Sequence, residues 1–103
     1  MKTEEIEQRL KETGIPFAYR AFPPRKSPPL PFLIYLTPYS NNFAADGETY
    51  YPVSHIQIEL YTKRLDPEAV QRVEKALQGL FWEKSEIYLE DEQMYETIYE
   101  TEG

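Results

Sequence analysis

His55 is the side chain in this sequence best suited to moving a proton near neutral pH, as a general base or a metal ligand. It belongs to the outward set of an alternating strand. It has no second histidine and no cysteine with which to share a metal. Asp46 and Glu48 are the acids that could join it in space, but Asp46 precedes Gly47 in a turn signal, where a carboxylate has local backbone to bind. A catalytic base needs a positioned partner, so His55 reads as structural or solvated. Ser27, Ser40, Ser54 and Ser85 lack the G-x-S-x-G setting of an activated nucleophile. Glycines 14, 47, 79 and 103 are too scattered to cradle a phosphate. The expectation is no catalytic residue, no metal, no cofactor and no enzymatic activity.

Charge is the stronger signal. Residues 1–82 carry ten basic and ten acidic side chains, whereas residues 83–103 carry eight acids against Lys84 alone. The net charge of -7 therefore belongs to the last fifth of the chain, and it argues against gripping nucleic-acid phosphates. Arg20, Arg25 and Lys26 form the compact basic cluster before residue 63. Two of them lie in or beside Pro23–Pro31, where five of nine residues are proline. That stretch reads as an extended, polyproline-like surface loop, either solvated or a docking arm. A stiff arm loses little entropy on binding, and its cations fit an acidic partner surface. Arg20, Arg25, Lys26, Pro28 and Pro29 are the subunit-interface candidates.

The elements that must position these groups follow from periodicity. Residues 3–13 read as a short helix, with Thr3 as N-cap, Ile6 and Leu10 on one face and Gly14 as the stop. Ile15–Phe22 and Phe32–Tyr39 read as strands. Tyr50–Lys63 is the clearest strand, with Ser54, Ile56, Ile58, Leu60 and Thr62 facing one way and Val53, His55, Gln57, Glu59 and Tyr61 the other. Asp66-Pro67-Glu68 opens a second helix that repeats Val70, Val73, Leu77 and Leu80. Phe81–Glu90 and Met94–Thr101 form a hairpin. A three-residue loop, Asp91-Glu92-Gln93, would pair Leu89 with Tyr95, Ile87 with Thr97 and Ser85 with Tyr99 as the core face. A two-residue loop would pair Ile87 with Glu96 and mix the faces, so the longer loop is preferred. The alternation then presents Glu86, Glu90, Glu96 and Glu100 together, either as a solvated edge or as a surface that repels DNA sliding past. The Ser40–Gly47 loop, with Phe43 at its centre and Asn41, Asn42 and Asp46 around it, is either a docking tip or a loop whose Phe43 tucks into its own core.

The predicted architecture is one α+β domain over 1–103, a mainly antiparallel sheet of about five strands with both helices on one face, in the order α-β-β-β-α-β-β. Met1–Glu12 has no apolar targeting core, and the longest apolar run, Pro31–Leu36, is far short of a membrane span. A soluble, intracellular protein is expected.

Several blocks, read in order, resemble one family: Thr13-Gly14-Ile15-Pro16-Phe17-Ala18-Tyr19, Pro28-Pro29-Leu30-Pro31-Phe32-Leu33-Ile34-Tyr35, Ser40-Asn41-Asn42-Phe43-Ala44-Ala45-Asp46, Ile58-Glu59-Leu60-Tyr61-Thr62 and Met94-Tyr95-Glu96. They resemble the tail-terminator, or tail-completion, proteins of siphophages and prophages of Gram-positive bacteria. The resemblance implies an α/β subunit that forms a hexameric ring, caps the tail tube, stops its polymerisation and offers the head-joining surface. Its implied partners are further copies of itself, the major tail tube protein and the head-completion connector, with DNA as passing cargo. Its implied place is the virion neck, and the host cytoplasm during assembly. It implies no cofactor and no membrane. Within that frame Asn41, Asn42, Phe43 and Asp46 become tube-docking candidates, and Glu86, Glu90, Glu96 and Glu100 channel-facing candidates. A head-closure or neck connector is the alternative inside a virion, and a small protein-binding module the alternative outside one.

Overall fold

Two short amphipathic helices supply one layer. The computed structural model describes residues 2–38, 43–45, 48–51 and 55–102. Helix α1 spans Thr3–Glu12, with Lys2 rather than Thr3 at the cap position and no side-chain cap bond. Ile6 and Leu10 are its buried face. The helix stops where the Thr13 hydroxyl donates to the Leu10 carbonyl at 2.6 Å and accepts from the Ile15 amide at 3.0 Å, with Gly14 following at φ 72°. Helix α2 spans Pro67–Ala76 and begins as its sequence predicts: the Asp66 side chain accepts from the Ala69 amide at 3.0 Å, and Pro67 takes the first helical position. Arg9 of α1 reaches the far end of α2, donating to the carbonyls of Ala76 and Gln78 at 2.9 and 3.0 Å. The Ala76 carbonyl is one that a helix end leaves without an internal partner, and Gln78 follows just beyond the helix.

The second layer is a five-stranded mixed sheet in the order β1-β2-β5-β7-β6, built from β1 (Phe17–Tyr19), β2 (Phe32–Leu36), β5 (His55–Thr62), β6 (Trp82–Leu89) and β7 (Met94–Glu102). Strands β3 (Phe43–Ala45) and β4 (Glu48–Tyr51) form a separate two-stranded ribbon. The α+β class, the element order and the mostly antiparallel pairing agree with the sequence reading. The alternation of β5 sends Ile56, Ile58 and Leu60 to the helices, each at most 1% exposed. Leu33, Tyr35 and Tyr99 join them from the neighbouring strands, and Ile6, Leu10, Ala69, Val73 and Leu77 close the core from above.

Three local expectations are corrected. First, β1 pairs parallel with β2, through Phe17↔Leu33, Ala18↔Ile34 and Tyr19↔Tyr35. Parallel neighbours need a crossover of a dozen or so residues, and the proline segment between Tyr19 and Phe32 is that crossover. It is not one extended rod. The Lys26 amide donates to the Pro23 carbonyl at 3.0 Å with Arg25 at φ 62°, a type II turn with proline at its second position. The Leu30–Pro31 peptide is cis. Second, the single long strand expected over 50–63 corresponds to two, β4 ending at Tyr51 in the ribbon and β5 beginning at His55 in the main sheet, with residues 52–54 outside the described residues.

Third, the hairpin takes the register that the sequence reading set aside. Leu89 faces Met94, Tyr88 faces Tyr95, Ile87 faces Glu96 and Ser85 faces Ile98. The turn closes with the Gln93 amide donating to the Glu90 carbonyl at 3.3 Å and Gln93 at φ 52°. The expected register would have turned Trp82 away from the helices. The observed one brings the Trp82 ring to 5.5 Å from the Tyr99 ring, packs Tyr88 on Tyr95 at 4.9 Å and carries Lys84 to Glu74 of α2 at 2.8 Å. A large aromatic buries more apolar area than isoleucine, and cross-strand aromatic pairs add to that gain, so Ile87 is the residue left outside, 46% exposed.

Candidate functional site

The face of the sheet turned away from the helices carries the polar side chains of the outward set that the strand alternation predicts. Along β5 these are His55, Gln57, Glu59 and Tyr61. From β7 come Glu96, Ile98 and Glu100, and from β2 come Phe32 and Ile34. The centre of this face is partly closed. Glu96 and His55 are each 7% exposed and Ile34 is 6% exposed. The proline crossover covers one side, with Phe22 edge-on to Phe32 at 5.3 Å and Phe32 against Tyr61 at the same separation.

Glu59 and Glu96 meet diagonally across β5 and β7, bridged by a phenol. The Tyr61 hydroxyl lies 2.7 Å from Glu96 Oε2 and 3.2 Å from Glu59 Oε1, and Gln57 Nε2 donates to Glu59 Oε2 at 3.1 Å. Burial, and then the hydrogen bond and charge of Glu96, raise the Glu59 carboxyl above the usual carboxylate range. Glu59 therefore keeps its proton more readily than an isolated glutamate would, with Glu96 as the acceptor. Burial and the same two carboxylates raise Tyr61, which stays a neutral donor. Beside them, His55 Nε2 lies 3.3 Å from Glu100 Oε1. The same Tyr-to-Glu pairing recurs on the helix side, where Tyr35 donates to Glu7 at 2.7 Å and Tyr99 to Glu74 at 2.9 Å. Sequence reasoning missed all three pairs. The outward Glu59 and Tyr61, two apart on one strand, were visible, but their meeting with Glu96 needs the β5–β7 register.

The acidic candidates do not form one surface. Glu86 faces Thr97 on the helix side of the sheet, whereas Glu96 and Glu100 lie on the opposite side and Glu90 sits exposed in the turn. The hairpin register separates them, and the buried Glu96 is spent on Tyr61. His55, expected to be structural or solvated, is buried beside an acid. Asn41, Asn42 and Asp46 lie outside the described residues. Phe43 begins β3 opposite Tyr51, with a register shift between Phe43 and Ala44.

The basic candidates stay together around the crossover. Arg20, Arg25, Lys26 and Pro29 are exposed, and Pro28 is half-buried. Arg20 sits at φ 67° in a three-residue turn, the Ala21 amide donating to the Tyr19 carbonyl at 2.8 Å, with its guanidinium 5.4 Å from the Tyr19 ring centre. Arg20 and Arg25 are two of the three non-glycine residues at positive φ among the described residues. That conformation costs on the order of 1 kcal/mol for an ordinary side chain.

Taken as a class, the molecule is a two-layer α+β domain with a half-closed acidic face and a basic arm at one end of its sheet. No protein-family model matches the chain, and no curated protein does. Among the described residues, no three His, Cys, Asp or Glu side chains are grouped to hold a metal ion, and no helix is long and apolar enough to cross a membrane.

Proposed function

We propose that this chain is a structural subunit of a siphophage-type tail, a terminator that assembles as a six-membered ring on the tail tube, halts its growth and presents the surface to which the head connector joins. The observation that carries the reading is the placing of opposite charge at the two ends of one sheet. The basic crossover adjoins β1 and β2, and the acidic turn Glu90-Asp91-Glu92 follows β6 at the other edge. A ring needs two different surfaces that meet head to tail and close by rotation. Glycine would fill the left-handed positions of Arg20 and Arg25 with less strain. Arginines there keep charge displayed on a stiff arm, and strain of that kind points toward function. The resembling blocks also fall on adjacent strands, Phe32–Tyr35 on β2, Ile58–Thr62 on β5 and Met94–Glu96 on β7.

In this reading Arg25 and Lys26 of one subunit meet the acidic turn of the next, the tube protein and connector bind the two flat sides of the ring, and DNA passes through its centre. The protein acts in the neck of the virion and in the host cytoplasm during assembly. The double variant Arg25→Glu, Lys26→Glu tests it. Native mass measurement at moderate salt, with tube tips present, is expected to show a species six times the 12.2 kDa chain mass for the unaltered protein. The double variant should show about a tenfold loss of that species, since like charges across an interface are costly. Equal assembly of both proteins overturns the arm as the ring contact.

A further inference from the structure

Strand β6 ends the sheet, and among the described residues no strand pairs with its outer edge. It is eight residues long. Among the described residues five large apolar side chains are strongly exposed, and three lie on or beside this strand: Phe81 at 84%, Ile87 at 46% and Tyr88 at 49%. An open edge of this kind presents unpaired amides and carbonyls to another chain. Proteins commonly blunt such edges with charge, but here the order of charges matters. The side facing the helices reads Trp82, Lys84, Glu86, Tyr88. Reversed end for end, that order is aromatic, anion, cation, aromatic, which complements the original.

We propose that β6 is the contact of a two-fold dimer, in which the edges of two copies pair antiparallel about Ser85 and join their sheets. In that register Lys84 lies opposite Glu86 of the second copy, and Glu86 opposite its Lys84. Trp82 lies opposite Tyr88, and Phe81 opposite Leu89. Shifting the pairing by two residues in either direction puts Lys84 opposite Lys84 or Glu86 opposite Glu86, which is unfavourable for directly facing residues. Charge complementarity therefore selects both the occupant, a second copy of this chain, and the register. The contact is isologous and ends at two copies. It goes beyond the ring reading, which uses the proline arm and the acidic turn.

The sequence contains no cysteine, so an introduced one reports position without background. In the full-length chain, Ser85→Cys should form a disulfide-linked dimer under mild oxidation, because directly opposed residues across an antiparallel pair approach to about 4.5–5.5 Å between Cα atoms. Glu83→Cys alone should cross-link far less, and an equimolar mixture of Glu83→Cys with Ile87→Cys should cross-link efficiently. Sedimentation of the unaltered protein should show reversible association to twice the 12.2 kDa chain mass. Glu86→Lys, at an exposed position, should weaken that association about tenfold while leaving the circular dichroism unchanged. A chain that stays monomeric throughout the concentration series without a Ser85→Cys cross-link overturns the proposal. So does equal cross-linking at positions 83 and 85, or a dimer indifferent to Glu86→Lys. A six-membered ring that forms while Ser85→Cys stays uncross-linked supports the ring and overturns the dimer. A dimer without a ring does the reverse.

Discussion

Leu60→Ala is expected to lower the unfolding free energy by about 3–4 kcal/mol, the range for emptying a fully buried leucine site that cannot collapse. Leu60 is 0% exposed on the central strand of the sheet. Its neighbours in register are Leu33 and Thr97, both buried. Backbone ladders on both sides hold β5 in place, so the strand cannot shift to fill the void. The helices above are fixed as well, by the Asp66 cap and by Arg9 at the end of α2. Small domains have roughly 5–15 kcal/mol in total, so this one change removes a large share. The check is a urea titration in which the midpoint falls while the m-value is unchanged. Leu65→Ala, at a site 60% exposed, is the control and should move stability by less than about 0.5 kcal/mol. Equal effects at the two sites would contradict the assigned faces of β5.

Tyr61→Phe has the second largest expected effect, about 2 kcal/mol at pH 7, and its size depends on pH. The ring contact with Phe32 survives the change, but the hydroxyl that serves Glu96 and Glu59 is lost. A charged acceptor left without its donor in a partly buried place costs about 1–3 kcal/mol. The Glu59 carboxyl is raised in the folded state, so its contribution to stability is present at acid pH and is lost as pH rises through the folded value. At low pH the protonated Glu59 carboxyl itself donates to Glu96, so Tyr61→Phe should cost less there than at pH 7. Glu59→Gln removes the titration while keeping the shape. It should raise stability at pH 7 and flatten the pH profile above the ordinary carboxylate range. When both changes are combined, the side-chain amide introduced at position 59 donates to Glu96, so the two should add to less than their sum. A Tyr61→Phe penalty that is constant with pH would show that the protonated Glu59 carboxyl does not donate to Glu96.

The helices and the strongest strand were legible because their signals are local. Asp66-Pro67-Glu68 contains a cap, a first-turn proline and an acid within three residues, and the structure follows it. The alternation of β5 needs no partner to be seen, and its two faces are as expected. What escaped was set by partners distant in sequence. The hairpin register turned on whether Trp82 or Ile87 would be buried, and Trp82 won because Tyr99 and Glu74 wait on the helix side. That single choice divided the acidic candidates between two faces. The parallel β1 was also hidden, since a proline-rich loop and a proline-rich crossover look alike until the second strand's neighbour is known. The Glu59–Tyr61–Glu96 cluster required both the β5–β7 pairing and the crossover that partly closes over it.

The crossover also divides the sheet by how each strand is retained. Strands β2, β5, β7 and β6 are zipped by continuous antiparallel ladders. Strand β1 holds on through three register pairs, and the Leu33 amide to the Pro16 carbonyl at 2.8 Å and the Arg20 amide to the Tyr35 carbonyl at 2.9 Å flank that short ladder. Such an edge can detach while the remaining four strands stay folded, as local opening requires far less than the global free energy. Amide hydrogen exchange should therefore release Leu33 and Arg20 well before the shared amides of β5 and β7, and uniform protection across all of them would exclude a separable edge. Detachment frees the arm along with the strand, which lengthens the reach of Arg25 and Lys26 without unfolding the core. The basic arm is thus a tether hinged at β1, and under the proposed ring contact the distance over which a subunit would capture its neighbour is set by the weakest strand in its sheet.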